Sequence, residues 1–140
     1  MPRFVLLYHD CPPHYARPSH WDFMLESGDT LRTWALETLP RAWHAAHART
    51  IAIYPHCPAL AEGDDVAAEQ LGDHRREYLE FEGDLSDNRG SVIRVAAGIY
   101  ATITESPTFW QFSLTESDGT QEVHLSRPSA TATSWELRCV

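Results

Sequence analysis

His20-Trp21-Asp22-Phe23-Met24-Leu25-Glu26 alternates apolar and polar side chains without a break after its first residue, apart from the thioether of Met24. Side chains alternate across a strand with a period of two, so Trp21, Phe23 and Leu25 share one face and His20, Asp22, Met24 and Glu26 the other. The same kind of stretch recurs along the chain. Strands are expected at Phe4 to His9, Trp21 to Glu26, Leu31 to Leu36, Thr50 to Tyr54 and Tyr78 to Glu82. Further ones are expected at Ser91 to Val95, Ile99 to Thr104, Phe109 to Leu114, Glu122 to Ser126 and Ser134 to Arg138. All are short, rich in Val, Ile, Thr and aromatics, and divided by turn residues such as Ser27-Gly28-Asp29, Asn88-Arg89-Gly90 and Ser117-Asp118-Gly119. Many short strands with little helix point to a mainly β protein, a closed or nearly closed antiparallel β-barrel. Two short flanking helices are expected, at Pro40 to Ala48 and at Asp64 to Leu71, where Asp64 or Asp65 would cap. Loops are expected at Cys11 to Ser19 and Pro55 to Glu62.

With 140 residues the chain fits one domain, 1–140, and its 43% hydrophobic content suffices for a core without disulfide staples. Cys11, Cys57 and Cys139 form no CxxC pair, and an odd, dispersed set argues for reduced thiols. No run of eighteen apolar residues occurs, so no membrane-spanning helix is expected. The N-terminal MPRFVLLYHD reads as a strand rather than a leader, and a cytoplasmic protein is expected. The formal charge is −9, and all eleven basic residues are Arg. A chain without Lys cannot perform Lys-dependent nucleotidyl transfer, Schiff-base chemistry or P-loop phosphate binding. Its acidic balance also opposes tight non-specific binding to duplex nucleic acid.

The polar face of the 20–26 stretch carries the chemistry. Residues i and i+2 on a strand are about 7 Å apart at the backbone, so the tips of His20 and Asp22 can reach one cation. His9, ending the first strand, is the natural third donor, and His14 in the following loop competes for that role. Two His and one carboxylate suit a divalent transition metal with open positions. The plainer alternative is an exposed hydrogen-bonded His20–Asp22 pair. A second cluster, Asp73-His74-Arg75-Arg76-Glu77-Tyr78, places a His among charges where it can act as general acid or phosphate contact, or simply belong to a solvated helix end.

Taken in order, these segments resemble the 3′-phosphoesterase module of bacterial DNA ligase D. The correspondence runs through His9-Asp10, a loop containing Arg17, HWDFMLE at 20–26, LRTWAL at 31–36 and DHRREYLEFEG at 73–83. The resemblance implies a β-barrel with a concave site. It also implies a divalent ion, manganese first and zinc second, held by His9, His20 and Asp22. His74 matches a phosphate-contacting His and Tyr78 a supporting tyrosine, while Glu26 and Asp10 match outlying acidic positions. Met24 stands where the family carries a phosphate-gripping Arg, and a thioether cannot replace a bidentate cation. Arg89 and Arg17 are the candidate substitutes. The implied activity is metal-dependent phosphoester hydrolysis at a DNA or RNA 3′ end, or on a smaller phosphoester, with a ligase or polymerase as repair partner. The alternative is a non-catalytic metal-binding barrel that binds nucleic-acid ends or such a partner. Oxygen chemistry at a facial triad ranks last, because no co-substrate site accompanies it.

Overall fold

A computed structural model describes residues 1–46 and 63–140. The strands are β1 (Arg3–Asp10), β2 (His20–Ser27), β3 (Thr30–Leu36), β4 (Asp65–Gln70), β5 (His74–Arg75), β6 (Gly83–Asp84), β7 (Ser91–Ser106), β8 (Phe109–Glu116), β9 (Gly119–Ser126) and β10 (Ser134–Cys139). Among the described residues one short helix, α1 (Arg41–Ala46), and one 3-10 turn, Arg76–Leu79, accompany them. Hydrogen bonding runs β1-β2-β3-β4-β10-β9-β8-β7 and returns from β7 to β1, closing an eight-stranded antiparallel barrel. β5 pairs with β3 and β6 with β7, both outside that ring. Among the described residues no helix is long and apolar enough to cross a membrane.

The interior is filled by side chains from all eight ring strands, including Tyr8, Trp21, Phe23, Trp34, Phe112 and Leu137. Filling by side chains is what an eight-stranded barrel can accommodate. A second apolar cluster lies on the opposite face of β1 and β2: Val5, Leu7, Met24 and Leu31 pack with Val92 and with Tyr78 and Leu79 of the 3-10 turn. Both faces of β1 and β2 are therefore buried. That explains why the second face of 20–26 carries Met24 rather than a solvated residue.

Three expectations need correction. Asp64 to Leu71 is not a helix. Asp65–Gln70 is a strand whose burial alternates, with Val66 and Ala68 buried and Ala67 exposed between them. Ala and Glu favour helix only weakly, and pairing with β10 and β3 overrides them. Tyr78 to Glu82 is not a strand: the 3-10 turn puts Tyr78 and Leu79, adjacent in sequence, together into the second cluster. Ser91 to Val95 and Ile99 to Thr104 are parts of one sixteen-residue strand, β7, which bends at irregularities in its pairing with β1 and β8. Gly98 permits that course, since a Cβ there would collide with the Thr115 carbonyl oxygen and crowd Phe4. α1 falls within the expected Pro40 to Ala48 helix. The last two residues of that stretch, the expected strand Thr50 to Tyr54 and the loop Pro55 to Glu62 lie outside the described residues.

Candidate metal centre

β1 and β2 pair so that His9 stands directly opposite His20, and Leu7 opposite Asp22. Directly opposed residues of an antiparallel pair share a face, and so do residues i and i+2. His9, His20 and Asp22 therefore extend the row begun by Val5, Leu7 and Met24 on the outer face of the barrel wall. The two imidazoles meet edge to face, 5.0 Å between centroids. All three residues are buried.

The proton positions follow from the outer contacts. His20 Nδ1 lies 2.8 Å from the Pro18 carbonyl oxygen, and His9 Nε2 lies 2.7 Å from that of Arg89. A carbonyl only accepts, so each of these nitrogens carries the hydrogen. In the neutral rings the remaining nitrogens then present lone pairs. His20 Nε2 is 3.0 Å from Asp22 Oδ1, and His9 Nδ1 is 3.7 Å from Asp22 Oδ2. Although His20 Nε2 is that close, Asp22 Oδ1 is buried and makes no hydrogen bond. Lone pairs facing a carboxylate in a buried site require a cation between them, either a second proton or a metal ion. Tying the outer nitrogen of a ligating His to a backbone carbonyl is also how metal sites orient their imidazoles.

The pKa shifts describe the case in which a second proton fills that gap. Burial would raise the Asp22 carboxyl, but bonds donated by the protonated His20 and His9 rings, with their charges, outweigh it and hold the pKa down at about 2. Burial works against the His9 imidazolium; Asp22 and the Arg89 carbonyl outweigh it and raise the His9 pKa above the ordinary value. Burial, followed by the Asp22 and Asp10 charges, pushes the Cys11 thiol up to about 11.

Around this triad lies a small cavity of about 100 Å³ that brings the other sequence-selected residues together: Arg17, His74, Tyr78 and Arg89, with Met24. His74 Nδ1 donates to the Gly72 carbonyl at 2.8 Å, leaving Nε2 free to meet a ligand, and its ring packs edge to face on Tyr78. Arg89 follows two residues with left-handed backbone, Asp87 and Asn88, in the expected turn. Its guanidinium donates to the Ser86 carbonyl at 2.9 Å and to the Ser86 hydroxyl at 3.0 Å. Arg17 is ion-paired with Glu69 at 3.2 Å. Glu26 lies apart from this cavity, bound to Arg76 and to the Arg3 amide. Asp10 accepts a bond from Ser19 Oγ at 3.4 Å and, with exposed His14, faces a neighbouring open cavity of about 660 Å³. His9, not His14, is the histidine beside His20.

From the sequence, Cys11 is a thiol next to the candidate site, read as an ordinary reduced cysteine and not as a ligand. His9, Cys11 and His20 each offer one ligand atom, all within 4.8 Å of one another, a group able to hold a metal ion. The signal available was position: Cys11 follows His9 by two residues at the mouth of the expected loop. Comparison with protein-family models and with curated proteins gives no match.

Proposed function

We propose that the protein is a metal-dependent phosphoesterase. The observation that carries this reading is the convergence of two carbonyl-anchored imidazoles on a buried carboxylate whose Oδ1 lacks a donor. Beside them lies a cavity that also holds His74, Arg17 and Arg89. His9, His20 and Asp22 would hold a divalent ion, which when bound supplies Lewis-acid polarisation of a phosphoryl group. The chain's own residues do the rest. His74 Nε2 meets the phosphoryl oxygens or protonates the leaving oxygen. Arg89, prefixed by Ser86, offers directional donors to the charge that grows on the phosphate, and Arg17 does so on release from Glu69. Tyr78, buried beneath His74, fixes that ring. Met24 is packed into the floor and makes no polar contribution.

The substrate class in this reading is a DNA or RNA 3′ end bearing a phosphate or terminal ribonucleotide, or a smaller phosphoester. The protein would act in the cytoplasm beside a ligase or polymerase. A specific observation favours the alternative of a non-catalytic metal-binding barrel: both candidate arginines already have protein partners. Phosphate release from a 3′-phosphorylated oligonucleotide and from a small aryl phosphate, measured with manganese, zinc or cobalt, decides between them. Metal-dependent turnover that His20→Ala abolishes supports the phosphoesterase. Stoichiometric metal binding without turnover of either substrate overturns it in favour of the binding module.

A further inference from the structure

Resting on the phosphoesterase reading, we infer that the pocket beside Phe81 is a nucleobase subsite, so that the ester presented to the metal centre is carried by a nucleotide and not by a small alcohol. Among the described residues the large apolar side chains left exposed are Met1, Ile103, Val140 and Phe81. Phe81 is the aromatic one, and it lines a pocket of about 180 Å³ with Arg75, Glu77, Tyr78, Asp84 and Arg89. Its backbone N–H donates to the Glu77 carbonyl at 2.9 Å, which fixes where the side chain starts. Its ring packs edge to face on Tyr78, 6.1 Å between centroids, and Tyr78 meets His74 at 5.7 Å. The rings thus form a row that leads from the phosphoryl site into the pocket.

Tyr78, Leu85 and Arg89 line both this pocket and the metal cavity, so the two share a wall. The metal cavity holds about 100 Å³. Sites for drug-sized ligands begin at roughly 300 Å³, so a substrate much larger than the ester group has to extend out of it. Two other ways out fit less well. The 660 Å³ cavity shares Leu85 alone with the metal cavity, and among the described residues no Phe, Tyr or Trp lines it. The groove at Trp135 shares Arg17 alone, and that side chain is tied to Glu69. The charges beside Phe81 also suit a base. Arg75 and Arg89 are balanced by Glu77 and Asp84, and Arg75 is ion-paired with Glu77 at 2.8 Å. A second phosphate would meet as many anions as cations there. A neutral ring with donors and acceptors along its edge can use both, while its face stacks on an aromatic side chain, as any base can.

The test compares adenosine 3′-monophosphate with glycerol 3-phosphate, a phosphomonoester without a base, by calorimetry and by manganese-dependent phosphate release. Wild type, Phe81→Ala, Phe81→Leu and Phe81→Trp are compared, with circular dichroism on each to confirm the barrel. Wild type should bind the nucleotide about five- to a hundredfold more tightly than glycerol 3-phosphate. Phe81→Ala and Phe81→Leu should bring that ratio close to one, and Phe81→Trp, which keeps a π-face, should preserve it. Damage passed through Tyr78 to the phosphoryl site would weaken both ligands together and leave the ratio unmoved. Wild type that binds and hydrolyses the two esters equally well overturns the inference and leaves the phosphoesterase reading standing. So does a preference that persists in folded Phe81→Ala. A Phe81-dependent preference without turnover of either ester keeps the subsite and removes the hydrolytic activity. If neither ligand binds wild type, both fail.

Discussion

At His20 a single ring is pinned from one side by the Pro18 carbonyl and faces a carboxylate on the other, so its neutral form leaves Asp22 unsatisfied. The pH behaviour of the metal-free protein follows from the same contacts. Asp22 falls from 3.8 to about 2 on folding, so its contribution to stability is present above about pH 4 and is lost as pH drops toward 2. His9 is raised from 6.5, so its contribution is complete below that value and is lost as pH rises through the higher folded pKa. Metal-free protein should therefore be most stable between these limits. Its denaturation midpoint should decline above neutrality, and added zinc should reverse the decline by replacing the lost proton. Chemical denaturation from pH 3 to 9 in chelator checks this, and a midpoint that stays level above pH 6.5 would contradict it. His9, His20 and Asp22 were legible because a period of two maps residues onto faces directly. Cys11 was legible only as a thiol beside the site, because it lies just beyond the strand, where no periodicity says which way a side chain turns.

The elements show where sequence patterning has force and where tertiary pairing replaces it. β2 is unmistakable, as its alternation runs the length of the strand. β4 is not, because Asp-Val-Ala-Ala-Glu-Gln has the composition of a helix and only Val66 and Ala68 mark its buried face. That assignment makes a direct prediction. Ala67 is exposed on β4, so Ala67→Thr should leave stability unchanged or raise it by up to about 0.5 kcal/mol, since β-branched side chains suit a pleated surface. In a helix the same change would cost about 0.5 kcal/mol, and a urea midpoint tells the two apart. The junction of β1 with β7 carries a second prediction. Gly90 has φ +89°, and a Cβ there would collide with the Asp10 carbonyl oxygen, while the preceding carbonyl, that of Arg89, anchors His9. Gly90→Ala should cost about 1–3 kcal/mol and weaken metal binding by about tenfold, because the carbonyl that orients His9 shifts with the strand end. Unaltered metal affinity in a folded Gly90→Ala protein would show that the Arg89 anchor does not matter.

At the scale of the whole molecule, the barrel and the site's cover are built differently. The eight ring strands pair on both sides and enclose an aromatic core, so their amides should open only with global unfolding. The segment from Leu71 to Gly90 contributes only the two-residue strands β5 and β6 and the 3-10 turn, held on the barrel's outer face by Tyr78 and Leu79. Yet this cover supplies His74, Tyr78 and Arg89, three of the residues around the cavity. The design separates a rigid wall that fixes His9, His20 and Asp22 from a thin layer able to adjust around a ligand. Hydrogen exchange should report the division: slow amides in β1, β2, β8 and β9, and fast ones from residue 72 to 90 in metal-free protein. Zinc should slow exchange at Gly90 and Ser91, next to the carbonyl that His9 grips, and leave the distant β8–β9 hairpin unchanged. Protection spread evenly over the barrel would mean that the ion stabilises the fold as a whole, and the centre would then be structural. Protection confined to the cover and the mouth of β1 would mean that the ion orders the substrate-facing layer, as a catalytic centre requires.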